Sequence, residues 1–372
     1  MKVYIVSGEA SGDLHASNLM KAVLKMAPDT EFRYWGGDLM AEVQGTPVKH
    51  IKDLAFMGFL EVLKNISTIL KNIKFCKADI LDYKPDVLLL VDYPGFNLRI
   101  AEFAKKNGIS VHYYISPSVW AWKEKRGWKI KANVDELYCI LPFEKEFYKR
   151  YKMDVHYVGH PLLDAIQQFQ SKAVSKESFH STFNLDDRKI IALLPGSRKQ
   201  EIKVKLPIML AAAKKYTDFQ LIVAGAPNLA ESFYKEIAGD QEMHWISNRT
   251  YDLLNNSHAA IVTSGTATLE TALFQVPQVV CYKGNPISYQ IAKRLINVKY
   301  ISLVNLITDK EVVKELIQDD LSVENIQNEM DKILDDFNYR QSMMEEYTQL
   351  VDVLGDGSAS EKIASLLLAA KL

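Results

Sequence analysis

Ala259-Ala260-Ile261-Val262-Thr263-Ser264-Gly265-Thr266-Ala267-Thr268-Leu269-Glu270-Thr271-Ala272-Leu273 changes character at its middle. A short apolar run reads as a buried strand, stops at Thr263-Ser264-Gly265, and resumes as an Ala/Leu/Glu/Thr segment of helical character. Gly265 lets the backbone turn tightly, and the small hydroxyl residues beside it are expected to cap a helix whose first N–H groups lack partners. Free donors and the positive helix pole point the same way there, so such an end favours anions. The dipole contributes about 0.3–1 kcal/mol, up to about 2 when partly buried, so a tight phosphate site needs further donors. Glu270 falls one turn into the helix, where it could accept from ribose hydroxyls. An ordinary strand–turn–helix junction with a capping serine would carry the same residues.

The junction recurs. Lys2-Val3-Tyr4-Ile5-Val6 runs into Ser7-Gly8-Glu9-Ala10-Ser11-Gly12-Asp13 and a helical pattern to Met26. Lys189–Leu194 runs into Pro195-Gly196-Ser197-Arg198-Lys199-Gln200-Glu201. Neither has the GxGxxG spacing of a dinucleotide site, which argues against a nicotinamide or flavin enzyme. Glu9 and Asp13 put acidic groups in the first turn, unsuited to pyrophosphate and suited to sugar hydroxyls or to helix capping. Arg198 is expected to reach an anion in an interdomain cleft, the alternative being a surface arginine at a helix start.

Further strands are predicted at Phe32–Trp35, Asp86–Val91, Ser110–Tyr114, Leu137–Leu141, Gln220–Gly225, His244–Ile246 and Gln278–Tyr282. The alternation of strands and helices predicts doubly wound parallel sheets with ligands outside the strand carboxyl ends. Asp92 follows Val-Leu-Leu-Leu-Val at such an end, where a carboxylate is either paired or chemically employed. Residues 165–188 turn polar and mark a linker. The C-terminal part reads as helical from Glu311 through Leu350 and again from Gly357 to Leu372. The expected division is 1–165, 166–345 and a terminal helical segment 346–372.

The 372 residues are 48% hydrophobic and 24% charged with a formal net charge of −1, which gives no electrostatic reason to propose nucleic acid. Cys76, Cys139 and Cys281 are far apart, without a CxxC or Cys/His cluster, which fits a reducing compartment and no structural zinc. Met1 leads directly into a strand, so no signal peptide is expected, and no apolar run approaches the roughly 20 residues of a membrane span. A cytoplasmic location follows as an expectation.

Two segments stand out. Residues 56–77, from Phe56-Met57-Gly58-Phe59-Leu60 to Lys77, are Phe/Leu/Ile-rich with lysines at 64, 71, 74 and 77, fitting either a membrane-interface segment or a core helix with a basic outer face. Tyr113–Arg126 sets Trp120 and Trp122 beside Lys123, Lys125 and Arg126, suited to a ligand both greasy and anionic, or to a tryptophan-anchored loop.

Together the motifs resemble the lipid-A-disaccharide synthase family. The matching words are Ser7–Asp13, Met57–Leu63, Asp92–Leu98, Ser116–Trp122, Leu141–Glu144, Leu194–Arg198, Ser264–Glu270 and Tyr300–Leu306, in order along almost the whole chain. Gly95 departs from members with a second acidic residue there. The resemblance implies an α/β GT-B architecture, two Rossmann-like domains facing across a cleft. It implies inverting transfer from UDP-2,3-diacylglucosamine to 2,3-diacylglucosamine 1-phosphate, giving a β-1,6 disaccharide and UDP. Asp92 and Glu9 would then be catalytic, with Asp92 the preferred general base. Arg198, Ser264, Gly265, Thr266, Glu270 and Asn305 would hold the UDP donor. Ser11, Asp13, Trp120, Trp122, Lys123, Arg126, Phe56, Met57 and Phe59 would meet the acceptor or its lipid. No cofactor is expected, and the lack of any Asp-x-Asp fits a metal-independent transferase. Acyl-chain substrates imply peripheral association with the inner membrane, and nothing here bars a homo-oligomer. The rival readings are another GT-B enzyme, such as a UDP-sugar 2-epimerase, and a non-catalytic nucleotide- or lipid-binding module.

Overall fold

The structure is a computed structural model describing residues 1–54, 65–122, 125–227, 229–241, 243–285, 289 and 298–369, with Trp122 described in its backbone only. The chain divides into two compact units, residues 1–164 with 355–372 and residues 165–354.

The first unit is built on a parallel sheet of β1 (Lys2–Ser7), β2 (Glu31–Gly36), β3 (Thr46–His50), β4 (Val87–Val91), β5 (Ser110–Tyr114), β6 (Glu136–Cys139) and β7 (His156–Tyr157), in the order β3-β2-β1-β4-β5-β6-β7. Its central strands are unbroken apolar runs because helices cover both faces. Tyr4, Val6, Leu88 and Leu90 point to the face carrying helices Ile66–Tyr83, Pro94–Lys106 and Arg126–Asn133. Val3, Ile5, Leu89 and Val91 point to the other, under Ala10–Met26 and the terminal helix Ala359–Ala369.

The second unit repeats the plan with β8 (Lys189–Leu194), β9 (Phe219–Gly225), β10 (His244–Ser247), β11 (Ser257–Thr263), β12 (Gln278–Tyr282) and β13 (Lys314–Ile317), in the order β10-β9-β8-β11-β12-β13. The pattern of 311–350 predicts continuous helix. Instead β13 pairs in parallel with β12, and the helix starts only at Val323. Lys, Glu and Leu favour helix locally, but the open edge of β12 outweighs that weak preference. Residues 346–372 are divided: the helix Phe337–Leu354 ends in the second unit, and Ala359–Ala369 packs on the first.

Each sheet has one point where the strand order reverses, and each point is where a parallel α/β sheet opens a crevice for ligands. In the first it lies between β1 and β4, with Ser7 level with Val91. In the second it lies between β8 and β11, with Leu194 level with Val262. The turns that follow these strands are Gly8–Glu9, Asp92–Tyr93, Pro195–Arg198 and Ser264–Gly265.

Candidate active site

At the first reversal the two turns interlock. A Cβ on Gly8 would lie 2.4 Å from Cγ of the Tyr93 ring, and one on Gly12 would lie 2.5 Å from Ser7 Oγ. Asp92 and Tyr93 both have left-handed backbones, φ 46° and 49°, which costs about 1–3 kcal/mol per residue and persists only where surroundings enforce it. Enforcement is visible: Asp92 N–H donates to the Tyr114 carbonyl at 2.9 Å, while the Asp92 carbonyl accepts from Asn97 Nδ2 at 2.8 Å and from the Tyr113 hydroxyl. The half-buried Asp92 carboxyl is pushed up to about 6, chiefly by burial and then by the charge of Glu9 across the reversal; a backbone N–H bond from Tyr93 works the other way. Glu9 itself is the residue before helix Ala10–Met26, and its side chain does not cap that helix. At Gly95 a side chain would meet nothing within 4 Å, so the departure at that position removes no packing.

Asp13 differs from the expectation that it meets the acceptor. It is buried, and its carboxylate accepts from the backbone N–H groups of Gly37 at 2.7 Å, Leu39 at 3.1 Å and Met40 at 3.2 Å. It therefore ties the β2 turn to the first helix rather than facing a ligand. Ser11 is exposed on the first turn of that helix.

Trp120 is half-buried, edge-on to Phe143 at 4.9 Å between centroids. Behind it lies Glu144, which sequence reasoning met only as the end of a matching word. Glu144 is buried, accepts from the backbone N–H groups of Ile140 at 3.2 Å and Leu141 at 3.0 Å, and is pushed up to about 7 by burial. Ser116, beside it, shares a 2.7 Å hydrogen bond with the Tyr148 hydroxyl. Trp122 ends the short helix Val119–Trp122, and Arg126, half-buried, opens the helix Arg126–Asn133. Lys123, Phe56, Met57 and Phe59 lie outside the described residues.

At the second reversal Gly196 (φ 109°) makes the turn after β8. Arg198 precedes helix Lys199–Ala213; its side chain is 64% exposed and donates to Glu201 at 3.2 Å. The other Glu201 oxygen lies 3.6 Å from Nζ of Lys205, a buried lysine whose pKa is lowered by that burial. After β11, Gly265 precedes helix Thr266–Leu273, which has no side-chain cap. The expected capping by hydroxyls does not occur. Ser264 Oγ donates instead to the Ile301 carbonyl at 3.0 Å, and Thr268 Oγ1 to the Gly265 carbonyl at 2.8 Å. Among the described residues the first N–H groups of the helix, Thr266 at their head, thus have no side-chain acceptor, and the space where a Cβ of Gly265 would sit is open to 4 Å. Glu270, half-buried one turn in, accepts from the Tyr251 hydroxyl at 3.1 Å and is raised by burial against that bond.

Asn305 also departs from expectation. It is fully buried; its Nδ2 donates to the Val313 carbonyl at 2.8 Å and Glu315 at 2.9 Å, and its Oδ1 accepts from the N–H groups of Val312 at 2.9 Å and Val313 at 3.0 Å. Both amide hydrogens and the oxygen are occupied within the protein, so the side chain holds the 301–315 segment together instead of presenting itself to a donor.

Among the described residues no three His, Cys, Asp or Glu side chains are arranged to hold a metal ion. A cavity of about 430 Å³, lined by Lys176, His180, Arg188, Lys189 and His258 among others, opens at the amino-terminal edge of β8 and β11 and includes none of these candidate residues.

A family model described as lipid-A-disaccharide synthetase matches residues 3–367. The chain belongs to the lipid-A-disaccharide synthase family. It is 40% identical over 374 residues to the synthase of Syntrophus aciditrophicus, covering 98% of this chain and 97% of that one. It is 36% identical over 374 residues to that of Geobacter sulfurreducens, covering 99% and 96%. Among solved structures it resembles the UDP-GlcNAc 2-epimerase of Neisseria meningitidis bound to UDP-GlcNAc (TM-score 0.69, 17% identity, 99% and 100% covered). It also resembles the glycosyltransferase of kitacinnamycin (TM-score 0.64, 10% identity, 99% and 98% covered). Identities that low carry the GT-B fold alone; the epimerase is a distant fold relative. Membership of the synthase family makes this chain a glycosyltransferase of lipid A disaccharide synthesis, working on nucleotide-sugar and lipid-linked sugar substrates.

Proposed function

We propose that the protein transfers 2,3-diacylglucosamine from its UDP donor to the 6-hydroxyl of 2,3-diacylglucosamine 1-phosphate, with inversion at the anomeric carbon. The observation that carries the assignment of roles is Asp92: a strained, half-buried carboxylate at a strand-order reversal, with its pKa pushed to about 6. A base of that pKa is ionised at neutral pH yet basic enough to take a proton as the acceptor oxygen attacks. The acceptor oxygen bonds to C1, the C1–O bond to the diphosphate breaks, and its electron pair leaves on UDP. The proton of the 6-hydroxyl passes to Asp92, and Glu9 is available to orient the sugar.

Charge growing on the leaving diphosphate would meet Arg198 and the first backbone N–H groups at Gly265–Thr266. Arg198 would exchange Glu201 for phosphate, while Lys205 still faces Glu201. Glu270 would accept from the ribose. Helix pole and guanidinium together supply the positive charge a metal-dependent transferase draws from a cation, so the reaction should proceed without one.

Membrane contact is part of the same reading. Ile66 and Leu70 (each 53% exposed), Phe75 (50%) and Trp128 (54%) lie on the two helices flanking Pro94–Lys106, with Lys71, Lys74 and Lys131 exposed on the same helices. Exposed apolar side chains interleaved with lysines suit the interface of an anionic bilayer. The protein would work peripherally on the cytoplasmic face of the inner membrane, where substrates whose every buried CH₂ is worth about 0.8 kcal/mol are held.

The test is incubation with UDP-2,3-diacylglucosamine and 2,3-diacylglucosamine 1-phosphate in micelles with EDTA, products followed by mass spectrometry. The expected product is the tetraacyl disaccharide 1-phosphate, absent with Asp92→Asn although UDP still binds. Intact donor and no disaccharide would overturn the reading; donor altered without acceptor would favour epimerase chemistry.

A further inference from the structure

Glu315 belongs to none of the sequence motifs named above, and it lies in β13 (Lys314–Ile317), where the local pattern predicts helix. Its carboxylate nevertheless accepts from four donors. Oε1 accepts from Ser302 N–H at 2.9 Å, Ser302 Oγ at 2.8 Å and Asn305 Nδ2 at 2.9 Å, while the Ile301 N–H is shared between Oε2 at 3.0 Å and Oε1 at 3.2 Å. An ionised carboxylate is acceptor-only with about four lone-pair directions, so these four donors fill it. Ile301 is thereby held from both sides of its backbone: its N–H on Glu315, its carbonyl on the Ser264 hydroxyl at 3.0 Å. On its other flank Ser264 is fixed by its own N–H on the Cys281 carbonyl at 3.0 Å, at the end of β12. Val280 of β12 is the register partner of Glu315.

We infer that Glu315 is a positioning residue for the diphosphate site: through Ile301 it holds the Ser264 hydroxyl away from the 266–273 helix and fixes the turn whose backbone N–H groups receive the anion. The inference rests on the reading that this turn binds the UDP diphosphate. Its physical content is preorganisation. Donors set in place before the ligand arrives need no ordering when it binds, and a turn free to move would need it. It also assigns Ser264 a structural tie in place of a phosphate contact, and gives the filled amide of Asn305 a purpose, since that amide fastens the 301–306 segment to β13.

In Glu315→Gln one oxygen becomes an NH₂ group facing either the Ile301 N–H or the cluster of donors at Ser302, so one arm of the tie opens while side-chain volume is kept. UDP affinity measured by calorimetry is expected to fall about tenfold or more in Glu315→Gln, the usual scale for losing a charge-assisted bond. Ser264→Ala should fall by a similar factor, and the double variant no further than the weaker single one, because both cut one relay. The acceptor KM should stay within twofold of the parent protein. Should Glu315→Gln not fold, Ser302→Ala removes one donor to Glu315, together with the cap that Ser302 Oγ gives the Asn305 N–H at 3.3 Å, and leaves the Ile301 and Ser302 N–H bonds to the carboxylate; about a threefold loss of UDP affinity is expected. Multiplicative losses in the double variant, unchanged UDP affinity in Glu315→Gln or Ser302→Ala, or an acceptor KM that rises in step would overturn the inference. Failure of the unaltered protein to bind UDP would instead remove the donor-site reading beneath it.

Discussion

Asp92 is kept in a left-handed conformation by Tyr113, Tyr114 and Asn97, and the same enclosure that enforces it withdraws the carboxyl from water. Strain and raised pKa therefore have one origin, and one substitution separates them. Aspartate and asparagine tolerate φ near 50° better than other side chains, so Asp92→Asn keeps the turn while removing the charge. With the folded pKa at about 6 against an ordinary 3.8, the folded state holds this proton more tightly than the unfolded one. Its ionisation thus costs nothing below about pH 4, weakens the fold progressively as pH rises through 6, and costs at most about 3 kcal/mol above that. Asp92→Asn is expected to be more stable than the parent at pH 7.5 by about 1–2 kcal/mol, with the difference gone by pH 4, as read from urea unfolding. In activity the sign is opposite. The acceptor kcat/KM should rise about tenfold per pH unit below 6 and level off above 7, and Asp92→Asn should lose about 10²–10⁴ of it. A flat profile between pH 5 and 7 would rule Asp92 out as the base.

At the scale of elements, the strand–turn–helix junctions were legible because glycine, small hydroxyls and apolar runs each act locally. Gly8, Gly12 and Gly196 stand where close packing or a positive φ demands them. What no local pattern encodes is which backbone a polar side chain will find. Asp13 reads as a turn acid suited to sugars, but its partners Gly37, Leu39 and Met40 are more than twenty residues away, brought near only by the pairing of β1 with β2. Asn305 and Glu315 are hidden for the same reason, their bonding created by β13 closing the sheet edge. Asp13→Ala consequently tests an element and not a ligand contact. It leaves three backbone donors short of an acceptor and should lower stability by about 2–3 kcal/mol, with a matching fall in the urea midpoint. The KM values of the fraction that remains folded should be unchanged; a raised acceptor KM at unchanged stability would return Asp13 to the binding site.

For the whole molecule, each unit carries one reversal of strand order, and the helix Ala359–Ala369 returns to the first unit. There Asp164 accepts from Ala359 N–H and from both Ser360 donors, and Glu361 pairs with Lys25. The polar stretch 165–188, expected to be a linker, instead lies within the second unit, where it carries the end of helix Pro161–Gln170 and helix Lys176–Thr182 and sets Phe179 in the core. Nothing in the sequence of 355–372 says which unit it joins, since an apolar helix face packs on whichever surface is left open. Among the described residues, Ile66, Leu70, Phe75 and Trp128, on the two helices that pack against Pro94–Lys106, remain half in water. No helix among the described residues is long and apolar enough to cross a bilayer, and in the proposed reading contact with lipid comes from exposed side chains such as these. Burying one large apolar side chain gains about 1.5–3 kcal/mol, or roughly ten- to a hundredfold in partition. Phe75→Ser with Trp128→Ser is therefore expected to weaken co-sedimentation with anionic vesicles at least tenfold. Added salt should weaken the remainder further by screening Lys71, Lys74 and Lys131. Activity on substrates dispersed in detergent micelles should persist, because neither residue touches the strand reversals. Unchanged vesicle binding in the double variant would move the membrane contact to another face of the molecule.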